Sequence, residues 1–297
     1  MNWTPESKIL VQGIGNTRGS YYATRMKAYG TNIVAAIIAG KGGQLLDDIP
    51  VFDLVEQAIE ELGEVQTTAI FARPESVLDA ALEAIAAGIR QIVLVSRGVP
   101  SLDMISLLEK ARSTNTLILG GGSAGIIIPE KVWIGTVEPQ YYTLGKVGLI
   151  SRSHSLSYEV AIALNQAGLG ESIAINLGTD RIIGSSFEQW LQILEQDKDT
   201  EVIVLIEQPN GNISPDSVEY IANNINKPVI VYIAGLEVPM PRDFTDALSI
   251  ITTQISHSVP VTNRNQQIIA ALKKARVSVA KRPSQVSQLV ERALKKT

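Results

Sequence analysis

Lys8-Ile-Leu-Val-Gln-Gly-Ile-Gly-Asn-Thr-Arg-Gly-Ser20 is the stretch whose reading decides the fold. A short apolar run stops at Gly13 and passes into a turn that holds Gly13, Gly15 and Gly19, and a helix can start near Thr17. At a strand-turn-helix junction, unpaired backbone N–H groups and the positive end of the helix dipole point at one place, which suits a phosphate or pyrophosphate. Glycine is required there because a Cβ keeps the backbone away from the anion. The turn therefore predicts a nucleotide-like ligand near the N-terminus.

The spacing Gly13-x-Gly15-x-x-x-Gly19 departs from the dinucleotide fingerprint, whose third glycine comes one residue earlier. No Asp or Glu closes the second apolar run, Asn32-Ile-Val-Ala-Ala-Ile-Ile38, where an NAD ribose needs an acceptor. That run leads instead into Ala39-Gly-Lys-Gly-Gly43, which places the cation Lys41 in a glycine turn. A phosphorylated ligand other than NAD fits this better. A plain glycine turn with no ligand is the competing reading.

The chain has 297 residues, enough for two ordinary domains with proper cores. Hydrophobic residues make up 45% and charged residues 19%, which excludes a disordered chain. No apolar run reaches the ~18 residues of a membrane span, and the start, Met1-Asn-Trp-Thr-Pro-Glu6, lacks the order of a signal peptide. Cysteine is absent, so disulfides, thiolate metal sites and cysteine nucleophiles are excluded. A cytoplasmic setting is the expectation. A net charge of −4 offers no electrostatic case for nucleic acid. The basic residues near the C-terminus, from Lys273 to Lys296, read as solvated helix faces. No grouping of His, Asp and Glu has metal-ligand spacing, so no metal is expected.

Apolar runs and helical patterns alternate along the whole chain, which predicts an α/β protein built on parallel sheets. In the first half strands are expected over 9–14, 32–38, 67–72, 92–96 and 116–120, with a helix over 76–87. The cluster Gly120-Gly-Gly-Ser-Ala-Gly125 ends that set. The stretch 126–144 reads as an irregular connection. The pattern restarts over 146–151 and continues with strands over 173–177, 202–207, 229–234, 249–252 and 277–279. This predicts two βαβ-rich domains, 1–125 and 126–297.

The chain resembles the α subunit of succinyl-CoA synthetase, a member of the nucleoside-diphosphate-forming acyl-CoA ligases. The resemblance is carried by Gly13-Ile-Gly-Asn-Thr-Arg-Gly19, Ala39-Gly-Lys-Gly-Gly43, Pro50-Val-Phe-Asp53, Ala84-Ile-Ala-Ala-Gly-Ile-Arg90 and Gly98-Val-Pro-Ser-Leu-Asp-Met104. Gly145-Lys-Val-Gly-Leu-Ile-Ser-Arg-Ser153, Gly178-Thr-Asp-Arg-Ile-Ile-Gly184 and Tyr232-Ile-Ala-Gly235 extend it, so it covers the whole chain. It implies an N-terminal Rossmann-like CoA-binding domain followed by a flavodoxin-like parallel α/β domain. By that resemblance Gly13, Gly15, Asn16, Thr17, Arg18 and Gly19 cradle the phosphates of coenzyme A or an acyl-CoA, with Lys41 as a cation. The helix starting near Ser153, with His154 and Ser155, is the anion-binding helix end that faces a phosphohistidine. A β-type ligase subunit, or a second copy of the chain, is the implied partner.

The chemistry-bearing positions depart from the family. The phosphohistidine belongs about a dozen residues after Tyr232-Ile-Ala-Gly235, where this chain has Asp246. A Gly-Pro-Asn-Cys-Pro-Gly type loop is replaced by Gly120-Gly-Gly-Ser-Ala-Gly125, and two glutamates by Arg97 and Gln208. Arginine and glutamine cannot accept an imidazole N–H as a carboxylate does. His154 stands where the family usually has glycine, and His257 has no partner in sequence and reads as a loop residue. Loop 237–245, with Pro239, Met240, Pro241 and Phe244, is a candidate contact surface.

Three functions follow as expectations. The first is a CoA-binding subunit without the usual phosphoryl relay. The second is a working ligase subunit with a replacement carrier, Asp246 or His154. The third is an interaction protein that keeps only the fold.

Overall fold

Strand β1 (Ile9–Gln12) lies between β2 (Ile33–Ile37) and β5 (Thr67–Ile70) and runs parallel to both. It is the centre of the first sheet, and helix α1 (Thr17–Tyr29) follows it directly. The molecule is a computed structural model that describes residues 3–15, 17–208, 213–234, 264–275 and 277–295. Asp246, His257, the expected strand 249–252 and loop 237–245 lie outside them, as does Asn16.

The first sheet has seven strands in the order β3-β4-β2-β1-β5-β6-β7, with β3 (Leu45–Leu46), β4 (Ile49–Phe52), β6 (Gln91–Leu94) and β7 (Leu117–Leu119). All neighbours are parallel except β3 with β4. Alternation along each strand sorts side chains to two faces. Ile9, Val11, Ala36 and Ala69 enter one hydrophobic core, whereas Leu10, Ala35, Ile37 and Ile70 enter the other. The second core is closed by α2 (Val55–Leu62), α3 (Val77–Ala86) and α4 (Ser101–Ser113), through residues such as Val55, Ala81 and Leu107.

The second sheet also has seven strands, ordered β14-β13-β12-β10-β11-β8-β9. Its parallel part comprises β10 (Leu144–Ser151), β11 (Glu171–Asn176), β12 (Val202–Glu207), β13 (Val229–Ile233) and β14 (Ser278–Ala280). Helices α5 (His154–Gln166), α6 (Phe187–Gln196), α7 (Pro215–Asn224), α8 (Arg264–Lys274) and α9 (Pro283–Leu294) intervene or follow. The expected α/β class, a Rossmann-like unit followed by a second parallel α/β unit, is what forms.

The stretch 126–144 is not an irregular connection. β8 (Gly125–Ile128) and β9 (Val132–Gly135) make an antiparallel hairpin that extends the second sheet from β11. Its apolar runs, Ile126-Ile127 and Val132-Trp133-Ile134, are buried, and the left-handed Glu130 (φ 64°) turns the chain between them. Sequence reading also missed β3 and β4 at the edge of the first sheet.

The two halves share the first core. Trp3 stacks on Trp190 with ring centroids 6.2 Å apart, and Thr31 Oγ1 donates to the Trp133 carbonyl at 2.8 Å. Arg25 on α1 forms a two-point ion pair with Glu138 while lying over Tyr21, Tyr22 and Trp133.

Candidate functional site at the ends of the parallel strands

Because β1 and β2 are parallel neighbours, their following loops leave the same edge of the sheet. That edge carries the glycine turn and the Lys41 loop together. Gly13 has φ 71°, and a Cβ built on it would lie 2.5 Å from Ala72 Cα, so only glycine fits between β1 and the end of β5. A Cβ on Gly19 would lie 2.8 Å from Ile14 Cα, so this glycine lets the first turn of α1 press on the strand's exit. Gly15 has ordinary room beside Ile38 and is exposed. Helix α1 begins at Thr17 with no acidic residue in its first turn, so its positive end is uncompensated from within. Arg18 is exposed there.

The Lys41 loop is held by its backbone. Lys41 N donates to the Ile38 carbonyl at 3.1 Å, and Gly43 N donates to the Val51 carbonyl at 2.9 Å. Gly42 N donates to Asp53 Oδ1 at 2.9 Å, and a Cβ at Gly42 would meet that carboxylate at 2.7 Å. The Lys41 ammonium is exposed and joins no ion pair among the described residues.

A second cluster forms where the halves meet. Ser153, in extended backbone, caps α5, its Oγ accepting from Leu156 N at 3.4 Å. Ser155, named with Ser153 at this helix end, is exposed and is the second residue of the helix. His154 is half-buried, with Nε2 3.1 Å from the Gly122 carbonyl. A carbonyl only accepts, so Nε2 carries the proton and Nδ1 the lone pair. Burial is the main cause that lowers the His154 pKa from its ordinary value; the Gly122 bond opposes it, and Arg97 and Arg18 reinforce it. The structure thus brings together Arg18, Arg97 and His154, three sequence-predicted or flagged residues from separate elements.

The glycine loop 120–122 is pinned by residues that carried no role in sequence. Asp180 accepts from Gly98 N at 2.8 Å and Val99 N at 3.4 Å, and its carboxylate fills the space a Cβ would need at Gly121 (2.6 Å) and Gly122 (2.9 Å). Asn176, at the end of β11, accepts through Oδ1 from Ala124 N at 3.1 Å and Gly178 N at 3.2 Å. Its Nδ2 is buried without a geometric hydrogen-bond partner among the described residues. Arg152 donates to the Gly178 and Asp180 carbonyls at 3.2 and 2.8 Å. Gln208 spends its amide on the Arg152 carbonyl at 3.0 Å, so it acts here as a donor to backbone. The available signal for Asp180 was its place in Gly178-Thr-Asp180 just after a strand, but its partners lie some eighty residues away. Among the described residues no group of three His, Asp or Glu is arranged to hold a metal, and no helix is long and apolar enough to cross a membrane.

Residues 4–98 match the family model of the CoA binding domain, in agreement with the cofactor implied by the family resemblance. The chain is 34% identical over 288 residues to a succinate–CoA ligase [ADP-forming] α subunit of Archaeoglobus fulgidus, covering 97% of each chain. It is 37% identical over 251 residues to the malate–CoA ligase α subunit of Methylorubrum extorquens, covering 83% of this chain and 84% of that one. Among solved structures, an ATP citrate lyase from Methanothrix soehngenii, in complex with citrate and coenzyme A, superposes with a TM-score of 0.81 at 18% identity. That likeness covers 100% of this chain and 51% of the lyase chain, so this chain spans about half the length of that protein and shares its fold. The chain belongs to the α-subunit family of the succinate–CoA ligases.

Proposed function

We propose that this chain is a coenzyme A- or acyl-CoA-binding α-type subunit in which the family's phosphohistidine chemistry is absent. The observation that carries the CoA reading is the turn at Gly13, which only glycine can make against Ala72. It opens a helix with no acid in its first turn, on the same sheet edge as Lys41, which joins no ion pair among the described residues. In this reading Gly13, Gly15, Asn16, Thr17, Arg18 and Gly19 receive the CoA pyrophosphate, and Lys41 pairs with a phosphate. The unit 1–125 is the CoA-binding domain and 126–297 the ligase-type domain.

The absence of the relay rests on residue chemistry. Asp246 replaces the histidine, and Arg97 and Gln208 replace both carboxylates that would orient an imidazole. The Gln208 amide N–H donates to the Arg152 carbonyl, and its remaining Oε1 is a neutral acceptor without the negative charge that a glutamate would bring to an imidazolium. The relatives' names describe α subunits of CoA ligases, so a β-type subunit that brings the nucleotide is the proposed partner. The acyl acids in those names differ among succinate, malate and sulfoacetate, and none is assigned to this chain.

Incubation of the chain and its β-type partner with γ-labelled ATP and Mg²⁺ tests the silent relay. No label is expected on the wild-type chain, with Asp246→His run beside it. Label that reaches a thioester product through the wild-type chain overturns this reading and favours a replacement carrier.

A further inference from the structure

A cleft of about 830 Å³ opens where the end of α4 meets the segment that leads from Asp180 into α6. That volume falls in the range of sites for small organic ligands, ~300–1,000 Å³. Its walls come from both halves of the molecule. Asp180 holds the top of the segment to Gly98 N and Val99 N. Gly184 N donates to the Gly120 carbonyl, and a Cβ at Gly184 would meet Ile118, so the chain lies tight along the free edge of β7. Two guanidinium groups line the cleft, Arg112 from the last turn of α4 and Arg181 from the segment. Both are exposed, and neither joins an ion pair among the described residues. Glu188, in the first turn of α6, is the one carboxylate among the described lining residues. Burial raises its carboxyl, but bonds from the Ser217 and Ser186 hydroxyls and its own backbone N–H outweigh that and hold it below the ordinary glutamate range. It is therefore ionised at neutral pH, and those bonds do not fill the roughly four acceptor positions of a carboxylate. Leu108 and Ala111 from α4, with Ile182 and Ile183 from the segment, supply apolar surface.

We propose that this cleft binds a nucleoside phosphate at a site separate from the glycine turn. Arg112 and Arg181 receive the phosphate, Glu188 accepts from the ribose hydroxyls, and the base lies on Leu108, Ile182 and Ile183. The guanidinium fork matches phosphate oxygens, and a carboxylate is the usual acceptor for a ribose hydroxyl. Inorganic phosphate or a small dicarboxylate would use the arginines but leave the carboxylate and the apolar wall unused. The glycine turn follows β1, whereas Arg112 and Thr116 precede β7. Strands β1, β5, β6 and β7 all run the same way, so the turn and the cleft lie at opposite edges of the first sheet. The site therefore stands whether or not the turn holds CoA.

Calorimetric titration of ADP, GDP and UDP into the full chain tests the site, with inorganic pyrophosphate and 2′,3′-dideoxy-ADP as controls. Saturable binding of at least one nucleotide is expected, with pyrophosphate much weaker and the dideoxy compound weaker than ADP by about fivefold or more. Arg112→Gln and Arg181→Gln are each expected to weaken nucleotide binding about tenfold. Both side chains are exposed and outside any ion pair among the described residues, so the melting temperature is expected to hold within a degree or so and shows that the variants are folded. Lys41→Ala is expected to leave this binding unchanged. No saturable binding of any of the three nucleotides at millimolar concentration overturns the proposal. Pyrophosphate bound as tightly as the nucleotides overturns the nucleoside class. Binding that Lys41→Ala weakens and both arginine variants leave intact places the nucleotide at the glycine turn and overturns this site while supporting a ligand there.

Discussion

Arg25 and Glu138 meet as a two-point ion pair, with N···O distances of 3.3 and 3.1 Å, across the boundary between the two sheets. The Arg25 guanidinium also lies 5.1 Å from the Trp133 ring centroid and 5.4 Å from that of Tyr21. Charge and stacking thus tie α1, the helix that opens at the glycine turn, to the segment that follows the β8–β9 hairpin.

The two contributions separate by mutation. Glu138→Gln removes only charge from a partly exposed pair and is expected to cost about 0.5–1 kcal/mol. Arg25→Ala also removes the stem and its ring contacts, and a total near 2 kcal/mol is expected. Denaturant unfolding of both single variants and the double variant measures the coupling. Equal losses for the two single variants would contradict a stacking role.

Gly13 and Gly40 provide a matched pair, since both have positive φ, 71° and 76°. A Cβ at Gly13 collides with Ala72 backbone, whereas one at Gly40 meets nothing within 4 Å. Gly40→Ala is therefore expected to cost about 1 kcal/mol from backbone conformation alone. Gly13→Ala adds a clash that the strand cannot relieve, and about 2–4 kcal/mol is expected, together with loss of CoA binding. Thermal unfolding of both variants checks the contrast.

Much of this was legible before the fold. Ile9-Leu10-Val11 and Val202-Ile203-Val204-Leu205-Ile206 are apolar throughout because parallel strands are buried on both faces, and such runs announce themselves. The hairpin β8–β9 was hidden because Pro129 and Gly135 break its pattern and its strands are four residues each. The glycine turn was readable because a backbone requirement is local. The Asp180 and Asn176 contacts were not, since their value lies in backbone N–H groups supplied by distant loops.

Glu171 predicts a pH dependence of stability. It is fully buried at the start of β11, with Oε2 accepting from Thr143 N at 3.3 Å and Oε1 without a partner among the described residues. Burial pushes its carboxyl up to about 8, against about 4.3 for an ordinary glutamate. Between those values the unfolded chain has released the proton and the folded one keeps it, so stability falls as pH rises through that window. The stabilisation is full below about pH 4 and is lost by about pH 8, a change of a few kcal/mol. Glu171→Gln is expected to flatten that slope and to gain stability at pH 8 relative to wild type. Unfolding free energies at pH 5, 6.5 and 8 check it, and parallel curves for the two proteins would refute it.

Lys41 is exposed and free of ion pairs among the described residues, so Lys41→Ala is expected to leave the melting temperature within a degree or so of wild type. Its loss removes one charge-assisted phosphate contact, worth about tenfold in affinity. A large drop in stability would show that the loop, rather than a ligand contact, needs the lysine.

The central claim is that the turn from Gly13 to Gly19 holds coenzyme A. Calorimetric titration of CoA into the folded wild-type chain and Lys41→Ala tests it most directly. The account predicts saturable one-to-one binding to wild type and about tenfold weaker binding to the variant. Absence of binding to wild type, or equal affinity in the two proteins, contradicts it.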